Sequence, residues 1–296
     1  MSTLFADPND ERSLAPAWEA TALSPEVEQI LDDESFESGR VLSILGVPVT
    51  DMSKAQAMRL MEQVICQGSE RTRAIYIVNA HTLNLAAEDE HYRWMLNNAF
   101  RVFGDGTGVR WAARAQGVRL QDNLVGTDLI PEFFAATANR GYRYFLLGST
   151  EETIARAARV AEERFPGWDL AGCHHGYVQD NGAAKVAIDE INASGADLLL
   201  VGMGNPLQEN WIHRHLRELH VPLAIGVGGL FDHWAGNIQR APRWVRKLGY
   251  EWLQLLLQQP HKWRRYLLGN PKFVYRMLRD ARRAGRQADV GRITSP

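Results

Sequence analysis

Residues 198–236, LLLVGMGNPLQENWIHRHLRELHVPLAIGVGGLFDHWAG, decide how this chain folds. Two apolar runs, 198–201 and 223–227, each stop at glycines, as fully buried parallel strands do where they open into loops. Between them, residues 208–219 carry Trp211, Ile212, His215, Leu216 and Leu219 at helical spacing. The unit therefore reads strand, Gly-rich loop, helix, strand, Gly-rich loop. In open α/β sheets, ligands lie beyond the carboxyl ends of the strands, where backbone N–H groups and helix N-termini attract phosphate. A single Gly-rich loop serves a tight turn as readily as a ligand. Two of them, carrying Asn205, Gln208, Glu209 and Asp232, point to a nucleotide site.

The same alternation extends back toward the N-terminus. Residues 41–49 read as one strand, after which Asp51 or Ser53 caps a helix to about Cys66 with Met58, Met61 and Ile65 on its apolar face. A buried strand over 74–78 ends at Asn79, and helices are expected over 82–88 and 91–100. A brief strand, 101–103, delivers Gly104-Asp105-Gly106-Thr107-Gly108. That spacing is not the dinucleotide Gly-x-Gly-x-x-Gly fingerprint, which disfavours a nicotinamide oxidoreductase; it presents one carboxylate, Asp105. Strands over 144–147 and 170–174 and helices over 151–165 and 183–193 complete the series. The expected fold is α/β: Rossmann-like, with a mostly parallel, doubly wound sheet.

With 296 residues, 45% of them apolar, the chain can bury a large core in one big domain or two modest ones. Cys66 and Cys173 stand far apart without partners at metal spacing, and the His174-His175 pair has no accompanying ligand cluster. No apolar run reaches the roughly 18 residues that span a bilayer, and the N-terminus is acidic. A cytoplasmic protein is expected. Residues 1–38 hold ten Asp or Glu against Arg12 alone, interrupted by Pro8, Pro16 and Pro25, so this segment is expected to be disordered.

The net charge of −2 hides an asymmetry. Residues 236–296 carry 14 Lys or Arg against Glu251, Asp280 and Asp289, a balance of +11 that leaves −13 for the remainder. Such a segment implies an anionic partner: nucleic acid, a membrane surface or a phosphorylated ligand. Helices are expected over 242–257, 262–268 and 271–284, separated by Pro260 and set with Trp244, Trp252 and Trp263 beside Lys and Arg. Aromatic rings beside cations suit an interfacial helix, and a hairpin packed on the domain with a solvated Arg face is the alternative. The chain divides into an acidic segment (1–38), an α/β domain (39–235) and a basic amphipathic helical appendage (236–296).

An ordered series of motifs runs from Gly104-Asp105-Gly106 through Gly126-Thr127-Asp128-Leu129, Phe145-Leu146-Leu147-Gly148, Val201-Gly202-Met203-Gly204 with Pro206 and Gln208-Glu209. It continues with Gly226-Val227-Gly228, Phe231-Asp232, Arg240-Ala241-Pro242, Glu251-Trp252, Pro260 and Arg265-Tyr266. This series resembles the WecG/TagA/CpsF group, glycosyltransferase family 26, over about residues 40–275. The resemblance implies an inverting enzyme of cell-surface or exopolysaccharide biosynthesis. It would move a sugar from a UDP-sugar to a polyprenyl-diphosphate-linked sugar at the inner membrane face, without cofactor or metal. The chain accordingly has no convincing Asp-x-Asp pair outside the acidic segment. The partners implied are donor, lipid acceptor and anionic membrane, with no nucleic acid and with room for a homo-oligomer.

On this resemblance Asp105 matches the base that takes the acceptor proton. Asn79 fits the second position of a Thr-x-Asn signature in which Ile77 replaces the Thr, and Arg240, Lys262, Arg264 and Arg265 join it as acceptor ligands. Family members place three Arg across the tail; here Leu255, Lys262 and Arg265 occupy those positions. Backbone N–H groups of Gly148, Gly202, Gly204, Gly228 and Gly229, with Gln208, Glu209 and Asp232, are expected to hold UDP. The alternative is a non-catalytic nucleotide-binding module that docks its basic tail on membrane or nucleic acid; such a module would keep its output without Asp105.

Overall fold

The structure, a computed structural model, describes residues 39–68, 71–241, 251–259 and 263–293. The expectation for 1–38, the first part of the helix expected over 242–257, and Lys262 lie outside the described residues. The strands are β1 (Arg40–Ile44), β2 (Val47–Asp51), β3 (Arg73–Val78), β4 (Arg101–Gly104), β5 (Arg143–Gly148), β6 (Asp169–His174), β7 (Leu198–Gly202) and β8 (Leu223–Gly226). They form one sheet in the order β1-β2-β4-β3-β8-β7-β5-β6, parallel throughout except for the β1–β2 pair.

Between the strands run α1 (Lys54–Gln67), α2 (Ala80–Glu88), α3 (Glu90–Asn97), α4 (Gly106–Ala115), α5 (Gly126–Ala136), α6 (Glu151–Arg164), α7 (Asn181–Ser194) and α8 (Leu207–His215). After β8 come α9 (Leu230–Trp234), α10 (Glu251–Gln258), α11 (Trp263–Leu267) and α12 (Gly269–Ile293). Alternate residues of each strand feed opposite cores. Ile75 and Ile77 of β3, with Leu198 and Leu200 of β7, pack under α1, α5, α6 and α9. Ala74, Tyr76 and Val78, with Leu199 and Val201, pack under α2, α3, α4, α7 and α8. Both faces are covered, which is why these strands are continuously apolar. The doubly wound α/β fold expected from the sequence is found.

The chain steps outward from β3 to β4, crosses to β5 and β6 on the far side, and returns through β7 to place β8 beside β3. The two halves meet at the β3–β8 boundary, where an open α/β sheet presents its ligand crevice.

Several local expectations change. Residues 41–49 are not one strand but parts of a hairpin, because Leu45 (φ 51°) and Gly46 (φ 79°) are both left-handed and turn the chain in two residues. The turn is also held from outside, since the Leu45 N–H donates to Asp280 Oδ2 of α12 at 3.0 Å. α2 begins at Ala80 rather than Thr82 because Asn79 Oδ1 accepts from the His81 and Thr82 N–H groups as an N-cap. Helix α5, a segment that the sequence pattern leaves unassigned, carries Pro131 inside it. Proline leaves the carbonyl four residues back without an intrahelical donor; here that carbonyl, Thr127 O, accepts from Arg240 Nη1 at 3.2 Å.

The described part of the basic segment is bound to the domain. Phe273 of α12 is buried among α2 and α4, with its ring close over Gly108. Arg276 Nη1 donates to Asn84 O (3.0 Å) and Asn84 Oδ1 (3.1 Å), while Asn84 Nδ2 donates to Gly269 O (2.8 Å). Lys272 and Arg276 both reach Glu88 at 2.6 Å, and the Lys272 hydrogen bond, joined by Arg276, holds the Glu88 carboxyl below its usual range.

Candidate active site

A cleft of about 730 Å³ lies beyond the carboxyl ends of β3, β4, β5, β7 and β8. Its floor is backbone. At the β5 exit Gly148 (φ 148°) lies so close to β7 that a Cβ would stand 2.3 Å from Gly202 O, and only glycine fits. Ser149 follows in a left-handed conformation (φ 58°), clamped by Ser149 N donating to Gly202 O (3.1 Å) and Gly176 N donating to Ser149 O (2.9 Å). Ser149 lines the cleft edge in this strained conformation. Gly204, Gly228 and Gly229 instead have open space where a Cβ would stand, and all three line the cleft.

The loops after β7 and β8 are joined through Gln208, which is almost wholly buried. Its Oε1 accepts from Gly228 N at 3.0 Å, and its Nε2 donates to Glu209 Oε1 at 2.8 Å. Asn205 Nδ2 donates to the same Glu209 oxygen. Glu209 is fully buried beneath these two amides, and that burial pushes its carboxyl up to about 7.

Across the cleft, β4 ends at Gly104 and α4 starts at Gly106, with Asp105 at the N-cap position between them. Its carboxylate does not cap the helix, unlike that of Asp89 or Asp180 at the starts of α3 and α7. Instead the Gly106 N–H donates to Asn123 Oδ1 at 2.7 Å, and Asp105 lines the cleft. The half-buried Asn79 stands on the neighbouring strand end and lines the cleft, with its side-chain oxygen capping α2.

The rim near β8 is electrostatically dense. Arg240 forms a forked ion pair with Asp128 of α5, both half-buried. His233 Nδ1 bonds Ile238 O at 3.1 Å; burial, and then Arg240, lower its pKa. Asn237 binds Asp232 Oδ1 (3.2 Å) and Thr153 Oγ1 (3.1 Å) while accepting from Arg156 (2.6 Å), which ties this rim to α6.

Residues 42–287 match the sequence profile described as the glycosyl transferase WecG/TagA/CpsF family. The chain belongs to the WecG/TagA/CpsF glycosyltransferase family. Three relatives bear the name N-acetylglucosaminyldiphosphoundecaprenol N-acetyl-beta-D-mannosaminyltransferase. The protein of Bacillus spizizenii is 32% identical over 70% of this chain and 79% of its own length, and that of Bacillus subtilis is 31% identical over the same shares. The protein of Staphylococcus aureus strain MW2 is 29% identical over 82% of this chain and 94% of its own.

The family motifs, scattered along the sequence, converge on this cleft. Asp105, Asn79, Gly202, Gly204, Gln208 and Gly228 line it, as do Gly229, Asp232, Arg240 and Arg265. Three other expected residues do not. Gly148 packs against Gly202 below the surface, and Glu209 lies behind Gln208. Arg264 turns to the Trp263 ring, 5.5 Å from its centroid. Gln208 lines the cleft, and each end of its amide holds a protein partner. Asp128, His233, Ser149 and Trp111 line the cleft without having been singled out for it. Asp128 had a signal, its place in Gly126-Thr127-Asp128-Leu129, whereas nothing in the sequence marked His233 or Trp111. Among the described residues no helix is long and apolar enough to cross a membrane, and no group of three His, Cys, Asp or Glu could hold a metal ion.

Proposed function

We propose that this glycosyltransferase moves an N-acetylhexosamine from a UDP-sugar to a polyprenyl-diphosphate-linked sugar, with inversion at the anomeric carbon. The observation that carries this reading is one cleft with a carboxylate, Asp105, on the β4 side and a wall of glycines, Gly204, Gly228 and Gly229, on the β7–β8 side. Asp105 accepts the proton of the acceptor hydroxyl as its oxygen bonds the anomeric carbon. The bond from that carbon to the donor diphosphate breaks, and UDP leaves with the electron pair. Backbone N–H groups of the glycine loops stabilise the leaving charge, and Arg110 and Arg265 supply positive charge at the mouth.

The relatives' names favour N-acetylmannosamine as the sugar transferred and N-acetylglucosaminyl-diphosphoundecaprenol as acceptor. Peripheral membrane docking is supported by the exposed Trp263, Leu267 and Leu268 beside the exposed Arg264 and the cleft-lining Arg265. The test offers purified protein a panel of UDP-sugars with a short-chain lipid-diphosphate N-acetylglucosamine and reads products by mass spectrometry. One UDP-sugar should give a disaccharide-lipid of inverted linkage. Donor hydrolysis without transfer, or activity only with another nucleotide-sugar class, would overturn the assignment.

A further inference from the structure

We propose that Glu209 is a positioning residue whose ionised carboxylate locks the β7 and β8 loops into the shape that binds the donor. This rests on the donor reading above and concerns a group that touches no substrate. One carboxylate oxygen, Oε1, gathers the Asn205 and Gln208 amides, and Gln208 passes the constraint to the Gly228 N–H. Gln208 is packed over Gly226, where a Cβ would stand 2.8 Å from its Nε2, so the side chain fits there only because residue 226 is glycine. The titratable groups facing Glu209 are Tyr92 of α3 and Tyr76 of β3, whose hydroxyl donates to the Glu209 backbone carbonyl at 3.5 Å. The second carboxylate oxygen and the Tyr92 hydroxyl are both buried without a partner of good geometry, yet close enough that the hydroxyl favours the charged carboxyl.

Protonating Glu209 at its unpartnered Oε2 leaves Oε1 a neutral acceptor in place of a charged one, so both amide hydrogen bonds to it weaken. Burial raises this carboxyl to about 7, so the lock is complete above that pH and is lost as pH falls through it.

The probe is UDP-N-acetylmannosamine, whose diphosphate diester does not titrate near neutrality, with binding followed by calorimetry on the full chain. Wild-type affinity should fall about tenfold between pH 8 and pH 6, as expected when a single group of pKa near 7 must be ionised. In Glu209→Gln the pH dependence should vanish. In Tyr92→Phe, a mild change that removes the hydroxyl favouring the charged form, the midpoint should move to higher pH. Flat wild-type affinity, a wild-type-like fall in Glu209→Gln, or an unmoved midpoint in Tyr92→Phe overturns the proposal. Absence of binding at every pH instead removes the donor reading itself, and this proposal with it.

Discussion

Replacing Phe273 by alanine should release α12 from the domain while leaving the sheet folded. The ring is 1% exposed, seated between α2 and α4 with its edge 3.3 Å from where a Gly108 Cβ would be. Removing a phenyl group from such a site costs about 3–5 kcal/mol. The other ties on α12 are weaker. The ion pairs of Glu88 with Lys272 and Arg276 are partly exposed, and pairs of that kind contribute about 0–1 kcal/mol each. Hydrogen bonds such as Asn84 to Gly269 and Leu45 to Asp280 add about 0.5–1.5 kcal/mol each. The ring is therefore the largest single tie on α12. Local opening should become about 10²- to 10⁴-fold more frequent, since 1.4 kcal/mol is a factor of ten. Hydrogen exchange read by mass spectrometry would show this as lost protection in peptides covering 269–282, with β3, β5, β7 and β8 unchanged. Transfer should fall as well, because Arg265, Asn270 and Val274 line the cleft beside Phe273. Unchanged protection over 269–282, or equal loss throughout the sheet, would refute the reasoning.

Asp105→Asn should lower transfer by about 10²- to 10⁴-fold with UDP-sugar affinity by calorimetry nearly unchanged, since the amide is isosteric but cannot take the proton; near-normal turnover would remove the base assignment. Activity should survive EDTA, given the lack of a metal-holding cluster among the described residues, and a chelated enzyme revived by Mn²⁺ or Mg²⁺ would contradict this. Gly148→Ala should destabilise by roughly 2 kcal/mol or more in urea unfolding, because its methyl meets Gly202 O and its backbone is strained for any other residue. Gly229→Ala, whose methyl meets nothing within 4 Å, should leave the unfolding midpoint where it was.

Much of the sheet and part of the site were legible in the sequence because both leave local marks. Leu198–Gly202 and Leu223–Gly226 are apolar throughout because helices cover both faces of a parallel sheet, and the glycines at their ends mark where the backbone must approach a ligand or another strand. Ser53 with Gln56, and Thr150 before α6, announced helix starts through side-chain capping that needs no distant partner. What failed to show depended on residues far apart along the chain. The turn at Leu45 lacks the usual Asn-Gly signal and is braced by Asp280, 235 residues away. α5 tolerates Pro131 because Arg240, 113 residues on from Thr127, supplies a donor to the carbonyl that the proline leaves over. Glu209 reads in sequence like a ligand in a Gly-rich loop, and only the packing of α8 against α3 and β3 turns it inward, where desolvation changes what its carboxyl can do. Local patterning determines which segments become strands, helices and exposed loops; long-range packing decides which polar groups meet, how much water they keep, and therefore which of them face the substrate and which hold the others in place.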